Sequence, residues 1–411
     1  MSLDGEPKLL ERRLTILAIP STFGVDRPIS GGQARFLRMT RLLKANGHRV
    51  IVLEPERYAG PLDKSEFETK LFADLSLGGR NLMILRDFNM SFARAFWRIL
   101  RSKNLAVLEF THPSGMLICK AIMLVARKRP VVVYSAQNVE SMFARETYSI
   151  RGESRRRWSL GLSRLISLQE RISSRYLADH LITLSESDKT GFADIYGIPR
   201  SKITTLPQPV ECMTRPESVI RSKIKQEFHI PGNPKIVLFH GYLNHSPNRE
   251  AVRMIQDYVA PMVGARRQDV KFLLCGTSMP LFEHGNLRSL GFVDDLDRVL
   301  SIADIGIVPI EQGAGVRLKV LDYMRAGIPI VSTKKGIEGL EIRNREEALV
   351  VEHVNQKFVD AIVSLIDDEA ERIRIGQNAW NFAIRNYSPD RIGADLNSLY
   401  ERLVGDRLRG T

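Results

Sequence analysis

The sequence predicts an α/β protein made of two doubly wound, Rossmann-like domains facing across a cleft, and three observations carry that prediction. At 411 residues the chain exceeds the usual size of a single domain, so two are expected. Strand-length apolar runs alternate with amphipathic helical runs in both halves, the pattern of parallel βαβ units. In each half a strand runs into a glycine loop and then a helix: residues 14–20 lead to Gly31-Gly32, and 304–310 lead to Gly313-Ala314-Gly315. Open α/β sheets bind ligands above the carboxyl ends of such strands. A polar stretch over 212–234, punctuated by Pro216, Pro231, Gly232 and Pro234, sets the boundary between domains of 1–211 and 212–388.

Composition narrows the partners. Hydrophobic residues make up 44% of the chain and charged residues 26%, enough for full cores in a soluble protein. The formal charge of +13 calls for an anionic partner: a nucleotide, an acidic lipid surface or nucleic acid. Cys119, Cys212 and Cys275 are scattered without metal-ligand spacing and fit a reducing cytosol. The N-terminus is polar through Arg13, so no signal peptide is expected. Apolar runs such as 115–126, broken by Lys120, are too short to span a bilayer. The expectation is a cytoplasmic protein, peripheral on the inner face of the membrane.

Taken in order, 14–20 is the first strand, and the helix after Gly31-Gly32 presents Phe36, Leu37, Leu42 and Leu43. His48 opens the second strand and reads as structural. Over 56–104, NLMILRD and LAVLEFT are strand candidates, while FARAFWRILRSK is a basic helix carrying Phe92, Phe96 and Trp97. Such a helix either lies on an anionic membrane or packs on the sheet, and the second is the expectation. The run from 105 to 140 reads strand, loop, helix, strand. It brings Glu109, His112 and the Gln137-Asn138-Val139-Glu140 stretch near strand carboxyl ends. Residues 141–175 hold eight Arg against three Glu, interleaved with Trp158, Leu160, Leu162, Leu165, Ile166 and Leu168. This is either a solvated face or a surface for anionic head groups. No nucleic-acid-binding motif accompanies it, so no nucleic acid is expected.

The chemistry concentrates in 301–341. DIGIVPI is a buried parallel strand; Gly313-Ala314-Gly315 follow, and then a helix with Val316, Val320, Leu321 and Met324 on one face. Gly327 and Pro329 stop that helix before IPIVST. Free backbone N–H groups and a positive helix end make a site for phosphate. Arg317 and Lys319, placed in the first turn, are expected to add mobile positive charge, and Asp322 offers a carboxylate to sugar hydroxyls.

GAGVRLKVLDYMRAGIPIVSTKKGIEGLE resembles the donor-binding segment of glycosyltransferase family 4, the nucleotide-sugar transferases of the GT-B fold. Their pattern is a glycine loop, a Lys, an acidic residue opening E-A-M-A-x-G, then P-V-V-(S/A)-T and G-x-x-E-G. The resemblance extends over nearly the whole chain. It takes in Gly31, Gly32, Gly47, His48 and Val50, the stretch 178–186, and IYGIPRSKITTLPQPVE. It also takes in Gly241, Leu243, Pro247, Asn248 and Ala251, and GFVDDLDRVLSIADIGIVP.

The resemblance implies that Asp322 binds the donor ribose and Lys319 the diphosphate. Arg317, Gly313, Gly315 and Val316 complete the phosphate cradle. Ala314 stands where the family often has a Glu touching the donor sugar. Gly31 and Gly32 face the donor phosphate or the acceptor. Gly241, His240, Tyr242, Asn244 and His245 border the donor, with Phe292 and Val293 beside the base. Gln137 stands where many relatives carry a His close to the reacting centre, and Asn138 and Glu140 remain on the acceptor side. A Gln cannot be a base, so His112 or Glu109 would supply one if one is needed. Asp294, Asp295 and Asp297 read as helix-opening residues, so no metal or other cofactor is expected. The last helix, 389–411, is implied to cross back onto the first domain. The implied function is transfer of a sugar to a lipid-linked or cell-surface glycan, with retention. The alternative, which Ala314 and Gln137 favour, is a catalytically weak GT-B scaffold that binds sugar nucleotide or an acidic polymer.

Overall fold

The structure is a computed structural model that describes residues 13–20, 31–56, 66–77, 80–81, 83–142, 164–214, 217–313 and 315–410. The first sheet is built from β1 (Thr15–Ile19), β2 (Arg49–Pro55), β3 (Glu68–Phe72), β6 (Val107–Phe110), β7 (Val131–Ser135), β8 (His180–Thr183) and β9 (Ile203–Thr205). A two-stranded ribbon of β4 (Ser76–Leu77) and β5 (Arg80–Asn81) stands apart from it. The order β3-β2-β1-β6-β7-β8-β9 is parallel throughout. The second sheet comprises β10 (Lys235–His240), β11 (Val270–Cys275), β12 (Phe282–His284), β13 (Leu287–Ser289), β14 (Ile305–Val308), β15 (Ile330–Thr333) and β16 (Leu349–Val351). Its order is β12-β13-β11-β10-β14-β15-β16, with only the edge pair β12–β13 antiparallel. These are two Rossmann-like domains, as the alternation of runs predicts.

Both faces of each sheet are covered by helices, which is why the central strands are unbroken apolar runs rather than alternating ones. β7 reads VVVYS with every residue buried, and β14 reads IGIV likewise. The chain reverses its strand order between β1 and β6 in the first sheet and between β10 and β14 in the second. Those are the points where such sheets open a ligand crevice.

The last helix, Pro389–Arg409, belongs to the first domain's packing. Ile392, Leu396, Leu399 and Tyr400 share one core with Leu14, Ile16, Phe36 and Val52. His48 ties it down: its Nδ1 accepts from the Leu14 N–H at 3.3 Å, and its Nε2 meets Asn397 Oδ1 at 2.7 Å.

Several elements differ from the sequence expectation. NLMILRD is not a strand; Met83–Phe88 is a 3-10 turn. Arg86 turns inward between the Phe72 and Phe92 rings and donates to the Pro20 carbonyl at 2.9 Å, while Leu85 and Phe88 face out. That is a period of three, not two. The helix Gly31–Ala45 begins at the glycine pair itself rather than after a glycine loop, so Gly31 and Gly32 form its first turn. The proline-punctuated 212–234 stretch contains a helix, Ser218–Glu227, packed against the helix Leu296–Ile302. The basic aromatic helix Met90–Ser102 packs on the sheet, with Phe92 and Phe96 fully buried in the core. Residues 143–163, including Trp158, Leu160 and Leu162, lie outside the described residues, as does Ala314. Among the described residues no helix is long and apolar enough to cross a membrane.

Candidate donor site

The site lies where β10 and β14 diverge. Beyond β14 the chain passes through Gly313 and Gly315, with φ of 102° and 84°, conformations that side chains other than glycine rarely adopt. A Cβ on Gly313 would also meet Pro247 Cγ at 2.7 Å. The helix Leu318–Arg325 starts immediately afterwards and aims its N-terminus at this loop.

Arg317 occupies the N-cap position rather than the first turn. It is buried, and its guanidinium donates to the carbonyls of Gly313 and Gly315 and, at 3.3 Å, of Gln312. The expectation of a mobile cation fails for it. Three loop carbonyls near a five-donor group are better satisfied by folding it inward than by leaving it in solvent. Arg317 thus holds the shape of the glycine loop.

Lys319 is also buried. Its ammonium donates to Asn248 Oδ1 at 2.8 Å and stands 3.8 Å over the Phe239 ring. Burial, helped by the neighbouring Arg317 charge, pushes its pKa well below the usual lysine value. Asn248 in turn donates to the Tyr242 carbonyl at 2.8 Å, so one amide joins the lysine to the loop after β10. Gly241 leaves them room at that turn: a Cβ there would approach Asn248 Nδ2 at 2.9 Å and Lys319 Nζ at 3.0 Å, so either side chain would have to shift. Tyr242 and Asn244 are exposed, with Asn244 Nδ2 donating to Tyr242 Oη and Ser278 Oγ at 3.2 Å each. His245 lies at the entrance of the helix Ser246–Met254, and burial pushes its ring down to about 4.

Asp322 is one turn further along and half-buried. Its Oδ1 accepts from Arg325 Nε at 3.2 Å, and its Oδ2 lies 3.8 Å from His240 Nε2. His240, at the end of β10, has that Nε2 buried without a hydrogen-bond partner, and burial outweighs Asp322 to push the ring down to about 4. It is therefore neutral. Phe292 is exposed after the turn at Gly291, and Val293 packs against the core. Asp295 caps the helix Leu296–Ile302 by accepting from the Asp297 and Arg298 N–H groups.

The first domain supplies the facing wall. Gln137 Nε2 donates to the Gly32 carbonyl at 3.0 Å and packs so closely that any Cβ on Gly32 would overlap its amide. Asn138 reaches across the cleft, and a Cβ on Gly315 would overlap its Oδ1. Glu140 starts a helix whose first N–H groups, those of Glu140 and Ser141, donate to Glu170 at 2.9 and 3.2 Å. Glu170 is fully buried and also accepts from Tyr134 Oη at 3.3 Å and from Tyr196 Oη. Burial, with Glu170 close by, pushes the Glu140 carboxyl up to about 8, and burial raises Glu170 as well.

His112 sits just past β6, and its Nδ1 accepts from the Ser114 N–H at 3.2 Å. Burial and the Arg86 guanidinium push it down to about 3, a poor affinity for a proton that it would have to accept. Glu109 does not reach the ligand side: it is buried within β6, beside Ser135, Arg35 and Tyr400 of the last helix. Among the described residues no group of three or more His, Cys, Asp or Glu could hold a metal ion. Sequence reasoning named Asn248 only as part of a motif, and it missed Arg325 and Glu170, whose roles depend on partners distant in sequence.

Comparison with known proteins follows the same division. Residues 29–213 match the family model Glycosyltransferase Family 4, and residues 234–368 match Glycosyl transferases group 1. D-inositol 3-phosphate glycosyltransferase of Corynebacterium glutamicum is 25% identical over 199 residues, 44% of this chain and 47% of the relative. An uncharacterized 44.6 kDa protein in the cps region of Klebsiella pneumoniae is 28% identical over 173 residues, 39% of this chain and 44% of the relative. The chain spans about half the length of the curated relatives it matches. Among solved structures, sucrose-phosphate synthase from Thermosynechococcus elongatus aligns with a TM-score of 0.72 at 15% identity, covering 96% of this chain and 100% of that one. HepE of Anabaena in complex with UDP and glucose aligns with a TM-score of 0.68 at 14% identity, covering 95% and 100%. At these identities the structural likeness shows the fold, which is GT-B.

Proposed function

We propose, from the premise that this chain carries the paired domains of a group 1, family 4 glycosyltransferase, that it moves a sugar from a nucleotide-sugar donor to a glycan hydroxyl with retention. One observation carries the reading. At the crevice between β10 and β14, a glycine loop, a helix N-terminus, a buried lysine and a carboxylate one turn later stand in the order a nucleoside diphosphate requires. The loop and helix N–H groups, with Lys319, neutralise the departing diphosphate, and Asp322 accepts from the ribose hydroxyls. As the anomeric C–O bond to the diphosphate breaks, the acceptor oxygen bonds to the same face of that carbon. Its proton passes to the departing phosphate oxygen, so no side-chain base is required. This suits a site in which position 137 is Gln and His112 has so low a proton affinity. The UDP bound by HepE, a protein of the same fold, supports a nucleoside diphosphate as the guest.

The acceptor is a lipid-linked or cell-surface glycan, reached at the cytoplasmic face of an anionic membrane. Supporting this, the helix Met116–Val125 exposes Leu117, Leu124 and Val125. The neighbouring helical turns expose Leu165, Leu168, Ile172 and Tyr176 beside Arg164, Arg171 and Arg175. Exposed apolar stripes with arginines beside them suit a surface of anionic lipid. Sedimentation with phosphatidylglycerol vesicles, but not with phosphatidylcholine vesicles, is expected; equal binding to neither removes the membrane from the proposal.

The transfer reading is tested by incubating the whole chain with UDP-, GDP- and ADP-sugars and measuring released nucleoside diphosphate. Slow release with one nucleotide family is expected. No release from any donor, with melting shifts only by acidic polymers, favours the scaffold.

A further inference from the structure

We propose that Arg325 is a positioning residue: it clamps the Asp322 carboxylate in the orientation that receives the donor ribose and ties it, through Asp297, to the loop beside the nucleotide base. The inference rests on the reading of Asp322 as the ribose ligand. In the pattern that this segment resembles, E-A-M-A-x-G, an alanine stands at position 325, so the clamp belongs to this chain's own residues.

The geometry is that of a guanidinium between two carboxylates. Arg325 is buried at the C-terminal end of the helix Leu318–Arg325. Its Nε donates to Asp322 Oδ1 at 3.2 Å; its Nη1 donates to Asp297 Oδ2 at 3.2 Å and its Nη2 to Asp297 Oδ1. Asp297 stands in the first turn of the helix Leu296–Ile302, directly after the stretch that carries Phe292 and Val293. The same arginine's carbonyl accepts from the Met213 N–H at 2.9 Å, fixing the backbone from the side of the interdomain segment. Arg38 of the first domain and Glu211 add a further positive and negative charge around this group.

The consequence for Asp322 is specific. Oδ1 accepts from Arg325, while Oδ2 lies 3.8 Å from His240 Nε2, too far to bond, and so is the oxygen more open to a ligand. Asp297, taking the two Nη donors, fixes the plane of the guanidinium, and that plane sets the direction of the one Nε–H that Asp322 Oδ1 accepts. Asp297 holds the far side of the fork, so a shift of the base loop turns the ribose carboxylate with it. Nucleotide recognition on this account is one rigid unit of base loop, arginine and carboxylate.

The test uses the whole chain and titrates UDP, GDP and ADP, then the 2′-deoxy and 3′-deoxy analogues of whichever binds, into wild type, Asp322→Asn, Arg325→Ala, Arg325→Lys and Asp297→Asn. The readout is the affinity ratio between ribo- and deoxyribonucleotide, which a merely structural role does not move. Wild type is expected to prefer the ribonucleotide about tenfold, as one charge-assisted hydrogen bond gives. Asp322→Asn and Arg325→Ala should both bring the ratio close to one, with Arg325→Lys and Asp297→Asn in between. If Asp322→Asn keeps the wild-type ratio, or no nucleotide binds, the ribose reading falls and the clamp with it. If Asp322→Asn flattens the ratio while a folded Arg325→Ala keeps it, the clamp alone is overturned. Should Arg325→Ala fail to fold, Arg325→Lys and the exposed Asp297→Asn decide: a wild-type ratio in both refutes the proposal.

Discussion

Replacing Lys319 with Met separates a binding lysine from a structural one, because the first role predicts almost no change in stability and the second a large loss. The ammonium is buried, with Asn248 Oδ1 and the Phe239 ring as its partners and its pKa driven well below the usual value. A lysine kept for folding would not be placed where desolvation opposes its charge. Met fills most of its volume, makes the same ring contact and carries no desolvation cost, at the loss of one hydrogen bond to Asn248. Those terms nearly cancel, so the Lys319→Met chain should melt within about 4 °C of wild type, the shift given by roughly 1 kcal/mol in a domain of this size. Turnover should move far more. A charge-assisted contact to a diphosphate contributes about 1.5–3 kcal/mol, or roughly a 10- to 150-fold loss in kcat/KM. The assays are thermal melting and donor hydrolysis on the same preparations. Unchanged hydrolysis, or activity lost only in step with a large fall in melting temperature, would refute the diphosphate role. A second signature follows from linkage. The diphosphate raises the lysine's proton affinity again, so nucleotide binding to wild type should take up protons at any pH where the unliganded lysine is partly deprotonated, seen as a buffer-dependent calorimetric enthalpy. Lys319→Met should abolish that uptake.

Other outcomes follow from the same geometry. Asn248→Ala strands both the buried Lys319 ammonium and the Tyr242 carbonyl, and should cost about 1–3 kcal/mol, read as a drop in melting temperature. Gly315→Ala imposes a left-handed backbone on a side chain and an overlap with Asn138, and should cut turnover sharply; adding Asn138→Gly should recover the overlap part and not the backbone part. The Glu140 and Glu170 carboxyls are both raised in the folded chain, so their protonation stabilises it at low pH. That contribution is present below about pH 4 and is lost as pH rises toward about 8, and Glu140→Gln should flatten the slope of stability over that interval.

Strand 304–310, the glycine loop, the following helix and strand IPIVST were all legible, because each rests on local signals: apolar run length, glycine, periodicity and a Gly–Pro stop. β14 and β15 lie inside the expected runs. What escaped was decided by partners far along the chain. Arg86 turned NLMILRD into a 3-10 turn by reaching the carbonyl of Pro20. Arg317 looked like a phosphate-seeking cation, yet the nearest unsatisfied acceptors were its own loop carbonyls. Arg325 carried no signal in the sequence; its two carboxylates come from positions 297 and 322, and only the fold brings them together. The helix Ser218–Glu227 was masked by the prolines on either side of it, which punctuate its ends and do not break its interior.

The most direct test of the donor site is a thermal-shift panel of UDP, GDP, ADP and their sugar conjugates against wild type and Asp322→Ala. A ligand that binds only the folded chain raises its melting temperature by about 2.7 kcal/mol of stabilisation at a hundredfold excess over Kd. The account predicts a shift with one nucleotide family that shrinks markedly in Asp322→Ala, whose own melting temperature stays near wild type. A shift of equal size in both chains, or no shift with any nucleotide, contradicts it.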